Sequence, residues 1–310
     1  MGSFHNKLVA ITGAASGIGL ATAKKLAAQG ALLSIADINA DALSTLLPIL
    51  SALSEDYHHH QKDTTASNGS HPAKVCFKTN NTHRILATPL DITDPTAVQA
   101  WITATTTHFS RPINAAANMA GIVGPSLGLP AGSIRQVSTT EFNRVISVNM
   151  LGTWNCLRAE LPAMSSTVHA GKPLSSSSDN NANNSNNNDA KRTSSIVNAS
   201  SIAGLVGVEN NSPYVMAKHA IAGLTKTAAK EEGRNGIRVN AIAPGIIDTP
   251  LVEGIKKAAG TTEQFGPGNP GAMARMGTSE EVAALVCFLL GEESSFVSGM
   301  VYGIDGGWIC

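Results

Sequence analysis

The octapeptide TGAASGIG, residues 12–19, follows the apolar run KLVAI (7–11) and leads into GLATAKKLAAQG (19–30), a segment of helical composition. A buried strand that gives way to glycines and small residues, then to a helix, must turn sharply and aim the free N–H groups of the helix start outward. Gly13 permits the turn, Gly17 lets a pyrophosphate approach the backbone, and Gly19 allows the helix to sit close on the strand. Steric demand alone can call for glycine in such a connection, so the pattern gains meaning from a second residue. Asp37 supplies it. It closes the next apolar run, LLSIAD (32–37), eighteen positions after Gly19, near where a dinucleotide-binding unit sets an acid against the adenosine ribose hydroxyls. A carboxylate there accepts two hydroxyl hydrogen bonds and repels a 2′-phosphate. No Lys or Arg flanks the position: Ser16 precedes Gly17, and Ile38 and Asn39 follow the acid. The expected cofactor is NAD rather than NADP.

Outward from this unit, apolar runs alternate with helical segments. KLVAIT (7–12), ALLSIAD (31–37), RILATPLD (84–91), INAAAN (113–118), SSIVNAS (194–200), IRVNAIAP (237–244) and MVYGID (300–305) read as strands, separated mostly by Ala/Leu-rich helices. This order predicts an α/β fold: a single Rossmann-type, doubly wound parallel sheet of about seven strands with helices on both faces. Two stretches break the alternation, residues 54–82 and 165–194. Both are polar and poor in large apolar side chains, and they read as mobile surface insertions. His58, His59 and His60 fall in the first; three adjacent side chains in a loop are a weak metal site, and a solvated loop is the expectation. Without the insertions about 250 residues remain, a size that suits one domain, so the chain is read as a single nucleotide-binding domain over 1–310.

Composition narrows the function classes. The 22 basic and 22 acidic residues balance, and no basic run points to nucleic acid or a membrane surface; a small molecule is the expected partner. Cys76, Cys156, Cys287 and Cys310 are far apart in sequence and read as free thiols in a reducing compartment. No secretory signal is visible at the amino terminus, and no stretch approaches the roughly 20 apolar residues of a membrane span. A cytoplasmic protein is expected. N-x-S/T triplets at Asn68, Asn183 and Asn198 then carry little weight, and Asn198 ends a strand expected to be buried.

Chemistry enters with SPYVMAKHA (212–220), which places Tyr214 and Lys218 four apart, on one face of a helical segment. An ammonium beside the phenol, and a cationic nicotinamide near it, would lower a pKa that is ordinarily about 10 and make Tyr214 a usable proton acceptor. Alone, the pair is equally a surface pair. Upstream, IVNASSIAG (196–204) ends a strand in two serines, which alone could simply satisfy backbone groups in a turn.

Taken together these residues resemble the short-chain dehydrogenase/reductase family, in its version with a core of about 250 residues. The likeness rests on TGAASGIG, Asp37, LDITD (90–94), NMAG (118–121), SVN (147–149), the Ser/Tyr/Lys set, PGIIDTP (244–250) and YGIDGGW (302–308). The family's spacing of twelve residues between Ser and Tyr selects Ser201 over Ser200. The resemblance implies a tetrad: Asn149 holds a proton-relay water through the helix backbone, Ser201 orients the substrate oxygen, Tyr214 exchanges its proton, and Lys218 also grips the nicotinamide ribose. It further implies cofactor contacts from Gly13, Ser16, Gly17, Ile18 and Gly19, from Asp37, and from Asp91 beside the adenine. Asn118, Ala120 and Gly121 would line the ribose side, Pro244 and Gly245 would shape a turn, and Thr249 would approach the nicotinamide amide or the phosphates. Met119 stands where the family most often has Asn.

The implied reaction is interconversion of a secondary alcohol and a ketone by hydride transfer. Residues 251–277 read as a lid whose Leu251, Val252, Ile255 and Phe265 point to a fairly apolar substrate, such as a terpenoid or polyketide intermediate; the same residues fit an amphipathic core face equally well. A homodimer or homotetramer is implied by the family, and the small-residue face Ala217, Ala220, Ala222 and Gly223 suits close helix packing, between subunits or inside one. Two alternatives stay open: an NADPH-dependent ketoreductase of the same fold, and a nucleotide-sensing protein without turnover, against which the intact Ser201, Tyr214 and Lys218 argue.

Overall fold

A computed structural model describes residues 4–65, 83–164, 194–259 and 271–310. Seven strands form one parallel sheet: β1 (Leu8–Thr12), β2 (Leu32–Asp37), β3 (Ile85–Pro89), β4 (Ala115–Asn118), β5 (Ser194–Ala199), β6 (Ile237–Pro244) and β7 (Val301–Ile304). Their spatial order is β3-β2-β1-β4-β5-β6-β7. All seven coincide with the apolar runs of the sequence. The helices are α1 (Gly17–Ala27), α2 (Ala40–Thr65), α3 (Pro95–Phe109), α4 (Thr139–Ile146), α5 (Thr153–Ala163), α6 (Ser212–Glu232), α7 (Pro250–Ala259) and α8 (Ser279–Leu290).

Side-chain alternation along each strand assigns the two layers. Val9 and Ile11 of β1, with Leu33 and Ile35 of β2, meet Leu26 of α1, Leu46 of α2 and Val286 of α8. Leu8, Ala10, Leu32 and Ala36 face the other way, toward Trp101 and Ile102 of α3 and Leu157 of α5. Each leucine, isoleucine or valine among them, taken fully out of water, contributes about 1.5–3 kcal/mol, so a slip of one residue in register would exchange the two cores wholesale. One polar group on this second side is fully met: Trp101 Nε1 donates to Ser34 Oγ at 2.9 Å, and that hydroxyl pairs with Thr105 Oγ1 at 2.7 Å.

Local chemistry explains the helix starts. Asp94 caps α3, accepting from the Thr96 and Ala97 amides with Pro95 at the first turn. Thr278 and Glu281 close a reciprocal capping box on α8.

The chain leaves β1 toward β2 and β3, then returns to build β4 on the opposite side of β1. Strand order therefore reverses between β1 and β4, and a crevice opens at their carboxyl ends. The register Thr12↔Asn118 sets those ends side by side.

Two expectations change here. Residues 54–65 belong to α2, so the first part of the stretch read as a loop is helical, with Leu43, Leu46 and Leu50 upstream anchoring the helix in the core. His58 to His60 lie on this helix, while their side chains, together with Asn68, Cys76 and the rest of 66–82, lie outside the described residues. So do residues 165–193, with Asn183, and 260–270, with Phe265. The flanks of both polar stretches are informative: β3 and β5 are entered from the amino-terminal edge of the sheet, opposite the crevice. Asn198 lies within β5 and is fully buried.

Candidate active site

A cleft of about 590 Å³ occupies the crevice, with Gly13, Ser16, Gly17, Ile18 and Gly19 along one wall. Two glycines there adopt backbone conformations that side chains disfavour, Gly13 at φ +65° and Gly17 at φ +48°. A Cβ on Gly13 would fall 2.7 Å from the Ala120 amide nitrogen, and one on Gly19 would collide with the Gly13 carbonyl oxygen. The loop is thus pressed against the turn after β4 on one side and folded on itself on the other, which leaves the start of α1 open to an anion. Asp37 fixes it from β2: Oδ2 accepts from the Ala15 amide and Oδ1 from the Asn39 amide, both at 3.0 Å. Its carboxylate lines the cleft with Ile38, which is 74% exposed.

The opposite wall is carried by β3 and β4. Asp91 lines the cleft, with Oδ1 accepting from the Thr93 amide and hydroxyl at 2.9 and 2.8 Å. Met119, Ala120 and Gly121 form the floor. Met119 N donates to Thr12 O at 3.3 Å, which ties the turn after β4 to the end of β1. Thr249, Pro250 and Leu251 close one end, and the Thr249 hydroxyl lies 3.2 Å from Ile247 O.

Not every expected contact reaches the cleft. Asn118 is 2% exposed, and its amide faces into the protein, toward Glu160 and Asn198. Its place is beneath the floor rather than along it. Pro244 is buried, and Gly245 serves a close approach: a Cβ there would sit 2.9 Å from Asp305 Cα. Of the residues read as an apolar lid, Leu251 lines the cleft, whereas Val252 and Ile255 turn into the core.

Ser201, Tyr214 and Lys218 converge where Gly121 meets Asn149. Ser201 begins a short 3₁₀ turn, accepts from Ala203 N at 3.2 Å, and hydrogen-bonds the half-buried Tyr214. Lys218 Nζ lies 5.3 Å from the centre of the Tyr214 ring and donates to Ala199 O at 2.7 Å. A Cβ on Gly121 would be 2.7 Å from Asn149 Oδ1 and 3.5 Å from Lys218 Nζ. Only glycine at this point lets the polar cluster adjoin the cleft. Ser200 supports the scaffold instead, since it is buried and donates to Lys218 O at 2.9 Å.

Asn149 sits in a π-helical turn, Ser147–Gly152, between α4 and α5, a local widening common at functional positions. Its amide donates to Ile122 O and Val145 O, both at 2.9 Å, and Oδ1 accepts from Ile122 N at 3.1 Å. Its carbonyl oxygen accepts from the Thr153 hydroxyl at 2.8 Å.

The protonation balance differs from the sequence expectation. Burial pushes the Tyr214 phenol up to about 12, with the Ser201 hydrogen bond offsetting part of that, and burial pulls the Lys218 ammonium down to about 8. The expected lowering of Tyr214 is therefore absent from the protein alone, because loss of hydration outweighs the Ser201 hydrogen bond.

Sequence reasoning missed several cleft residues, Arg144, Ser147 and Val148 among them. Their spacing of three and four along a helix that leads into Asn149 is a signal it could have used.

A doubly wound parallel sheet with a glycine cradle at its switch point and a Ser/Tyr/Lys cluster beside it defines a nucleotide-dependent oxidoreductase. Comparison with known proteins makes the assignment specific. The short chain dehydrogenase model matches residues 7–73, and the enoyl-(acyl carrier protein) reductase model matches residues 64–190 and 182–309. The chain is 40% identical over 309 residues to the short-chain dehydrogenase/reductase aba4 of Botryotinia fuckeliana, covering 99% of this chain and 98% of that protein. It is 33% identical to levodione reductase of Leifsonia aquatica, over 98% and 94% of the two chains. With cyclohexanol dehydrogenase of an Acinetobacter species it shares 32% identity over 98% and 96%. The crystal structure of levodione reductase superposes with a TM-score of 0.75 at 32% identity, covering 98% of this chain and 97% of that one. The chain belongs to the short-chain dehydrogenase/reductase family. It is an NAD(P)-dependent alcohol oxidoreductase that acts on a small-molecule substrate.

Proposed function

We propose that the protein uses NAD to interconvert a secondary alcohol and a ketone on a fairly apolar, ring-containing metabolite of the terpenoid or polyketide kind. The observation that carries the cofactor choice is Asp37: its carboxylate lines the cleft at the end of β2, held by the Ala15 and Asn39 amides. A 2′-phosphate placed there would meet a fixed negative charge. The glycine cradle suits a pyrophosphate, and Asp91, Ala120, Gly121 and Thr249 would complete the nucleotide contacts. Bound nicotinamide supplies the hydride acceptor or donor.

The residues of this chain do the rest. Ser201 holds the substrate oxygen, and Tyr214 takes its proton when the alcohol is oxidised or returns one when the ketone is reduced. Lys218 stabilises the phenolate and would grip the nicotinamide ribose; the cofactor's positive charge would add to the ammonium in opposing the burial that raises Tyr214. Asn149 would hold a proton-relay water through the backbone of the π turn. Support for a cyclic substrate comes from two relatives whose names specify levodione and cyclohexanol.

A second reading, an NADPH-dependent ketoreductase, is favoured by one observation: Arg144, a basic residue, is among those that line the same cleft. Parallel titration with NADH and NADPH decides between them. Tight NADH and weak NADPH binding is expected, and the reverse order would overturn the Asp37 argument.

The reading extends to a single domain over 1–310, to a cytoplasmic location and to a homodimer or homotetramer. Free thiols at Cys156, Cys287 and Cys310 support a reducing compartment. Exposed Leu151 and Trp154 on the π turn and α5, with Met216 on α6, support subunit contacts. Ala217 and Ala222 of the small-residue face are buried within the subunit, so that face does not supply the contact as a whole.

A further inference from the structure

Beneath the cleft floor runs a line of buried polar side chains. Asn118 Nδ2 donates to Glu160 Oε2 at 3.0 Å and to Asn198 Oδ1 at 3.1 Å, and Asn198 Nδ2 donates to Thr225 Oγ1 at 3.1 Å. Glu160 and Asn198 have no exposed surface, and Asn118 has 2%. Among the described residues, two oxygens in this line have no partner: Asn118 Oδ1 and Glu160 Oε1.

Those two atoms decide the state of the pair. A carboxylate and an amide oxygen only accept, so an ionised Glu160 leaves both orphaned in the interior. A carboxylic acid resolves both at once. Its carbonyl oxygen accepts the amide N–H, and its hydroxyl donates to the amide oxygen, which closes a ring of two hydrogen bonds.

We propose that Glu160 is a neutral carboxylic acid near neutral pH, whose Oε1 hydroxyl donates to Asn118 Oδ1 and so locks the end of β4 as the support of the nucleotide cleft. Only a proton is held, and nothing is oxidised or reduced.

The surroundings agree. Burial raises the Glu160 carboxyl to about 7, and the Asn118 hydrogen bond offsets part of that rise. On its own helix it faces Cys156, whose thiol burial holds well above its ordinary range and hence neutral. From β4, β5 and α6 the network is met by Asn118, Asn198 and Thr225, all uncharged. Among the described residues no cation pairs with Glu160.

The consequence reaches the cleft in one step. Asn118 is the last residue of β4, and the next three residues form the floor, with the Ala120 backbone against Gly13. Glu160 is accordingly a positioning residue, acting through Asn118. This part of the inference rests on the nucleotide reading of the cleft.

The test compares the full chain with Glu160→Gln and Glu160→Met. Infrared difference spectra at pH 6, wild type minus Glu160→Gln, should show the carbonyl stretch of one protonated carboxyl; its absence overturns the proposal. For NADH, Glu160→Gln supplies an N–H in place of the hydroxyl and should bind within about twofold of wild type, whereas Glu160→Met should bind about tenfold more weakly. Wild-type affinity should fall as pH rises through about 7, the value of this carboxyl, and that of Glu160→Gln should not. Equal affinity in Glu160→Met overturns the positioning role. Should Glu160→Met fail to fold, the infrared and Glu160→Gln arms still decide. A wild-type protein that binds neither NADH nor NADPH would instead sink the coenzyme reading and leave the infrared result intact.

Discussion

Lys218 Nζ stands 5.3 Å from the centre of the Tyr214 ring while it donates to the Ala199 carbonyl at 2.7 Å. The ammonium is thus held by the end of β5 at a fixed distance from the phenol one helical turn away. Proton transfer by a positioned side chain contributes about 10²–10⁴-fold to rate. Tyr214→Phe should therefore lower kcat by about 10³-fold while NADH affinity changes little. Steady-state turnover with a cyclic secondary alcohol, beside a fluorescence titration, checks this; unchanged turnover would remove Tyr214 from the mechanism.

The same pair has a stability signature in the protein without nucleotide. Burial lowers Lys218 from 10.5 to about 8, so between those values the unfolded chain binds more protons and stability rises with pH. A shift of this size corresponds to about 3 kcal/mol. Below about 8 the gain is absent, because the buried ammonium is charged in the fold. Chemical denaturation from pH 7.5 to 10 should show this rise in wild type relative to Lys218→Met. Parallel curves would mean the ammonium is better hydrated than its burial implies.

Gly13 and Gly223 should respond oppositely to alanine. Gly13 has φ +65° and a backbone atom 2.7 Å from a new Cβ, whereas a Cβ on Gly223, inside α6, meets nothing within 4 Å. Gly13→Ala should cost about 1–3 kcal/mol and abolish nucleotide binding. Gly223→Ala should add about 0.5–1 kcal/mol, as alanine does in a helix interior. Thermal melts with and without NADH separate the two effects.

Asp37 sets the coenzyme preference in the proposed reading. Asp37→Ser with Ile38→Arg removes the carboxylate and places a cation at an exposed neighbour. NADH affinity should fall and NADPH affinity rise, each by about tenfold, the effect of a charge-assisted hydrogen bond of about 1.5 kcal/mol. Retained preference for NADH would shift the explanation to another part of the cleft.

Much of this architecture was legible in the sequence because its signals are local. Each strand is a continuous apolar run, and the glycines and Asp37 sit at a spacing that one strand, turn, helix and strand dictate. What escaped the sequence depends on tertiary environment. The Tyr214 shift reversed because its hydration is set by distant segments, not by Lys218 four residues on. Asn118 looked like a cleft residue from its place in NMAG, yet its amide turns inward to a partner 42 residues away. Glu160 itself carried no signal, since a lone acid in a helix ordinarily faces water. Residues 54–65 read as loop from polarity, but helix α2 continues through them from its anchored first turns.

Glu160 gives the last prediction, with the opposite sign to Lys218. Its folded value is raised from 4.5 to about 7, so between these values the native protein holds a proton that the unfolded chain has released. Stability must then decline as pH rises from about 4.5 to about 7 and level off above. The full shift corresponds to about 3 kcal/mol, an upper figure if water relaxes the site on ionisation. Glu160→Gln has no proton to lose and keeps both hydrogen bonds to Asn118. Its stability relative to wild type should rise steadily across that window, so that the excess of its midpoint denaturant concentration over that of wild type is clearly larger at pH 8 than at pH 5. Wild type and variant tracking each other from pH 4.5 to 8 would mean that Glu160 ionises in the fold as easily as in water, which two unpartnered buried oxygens do not allow.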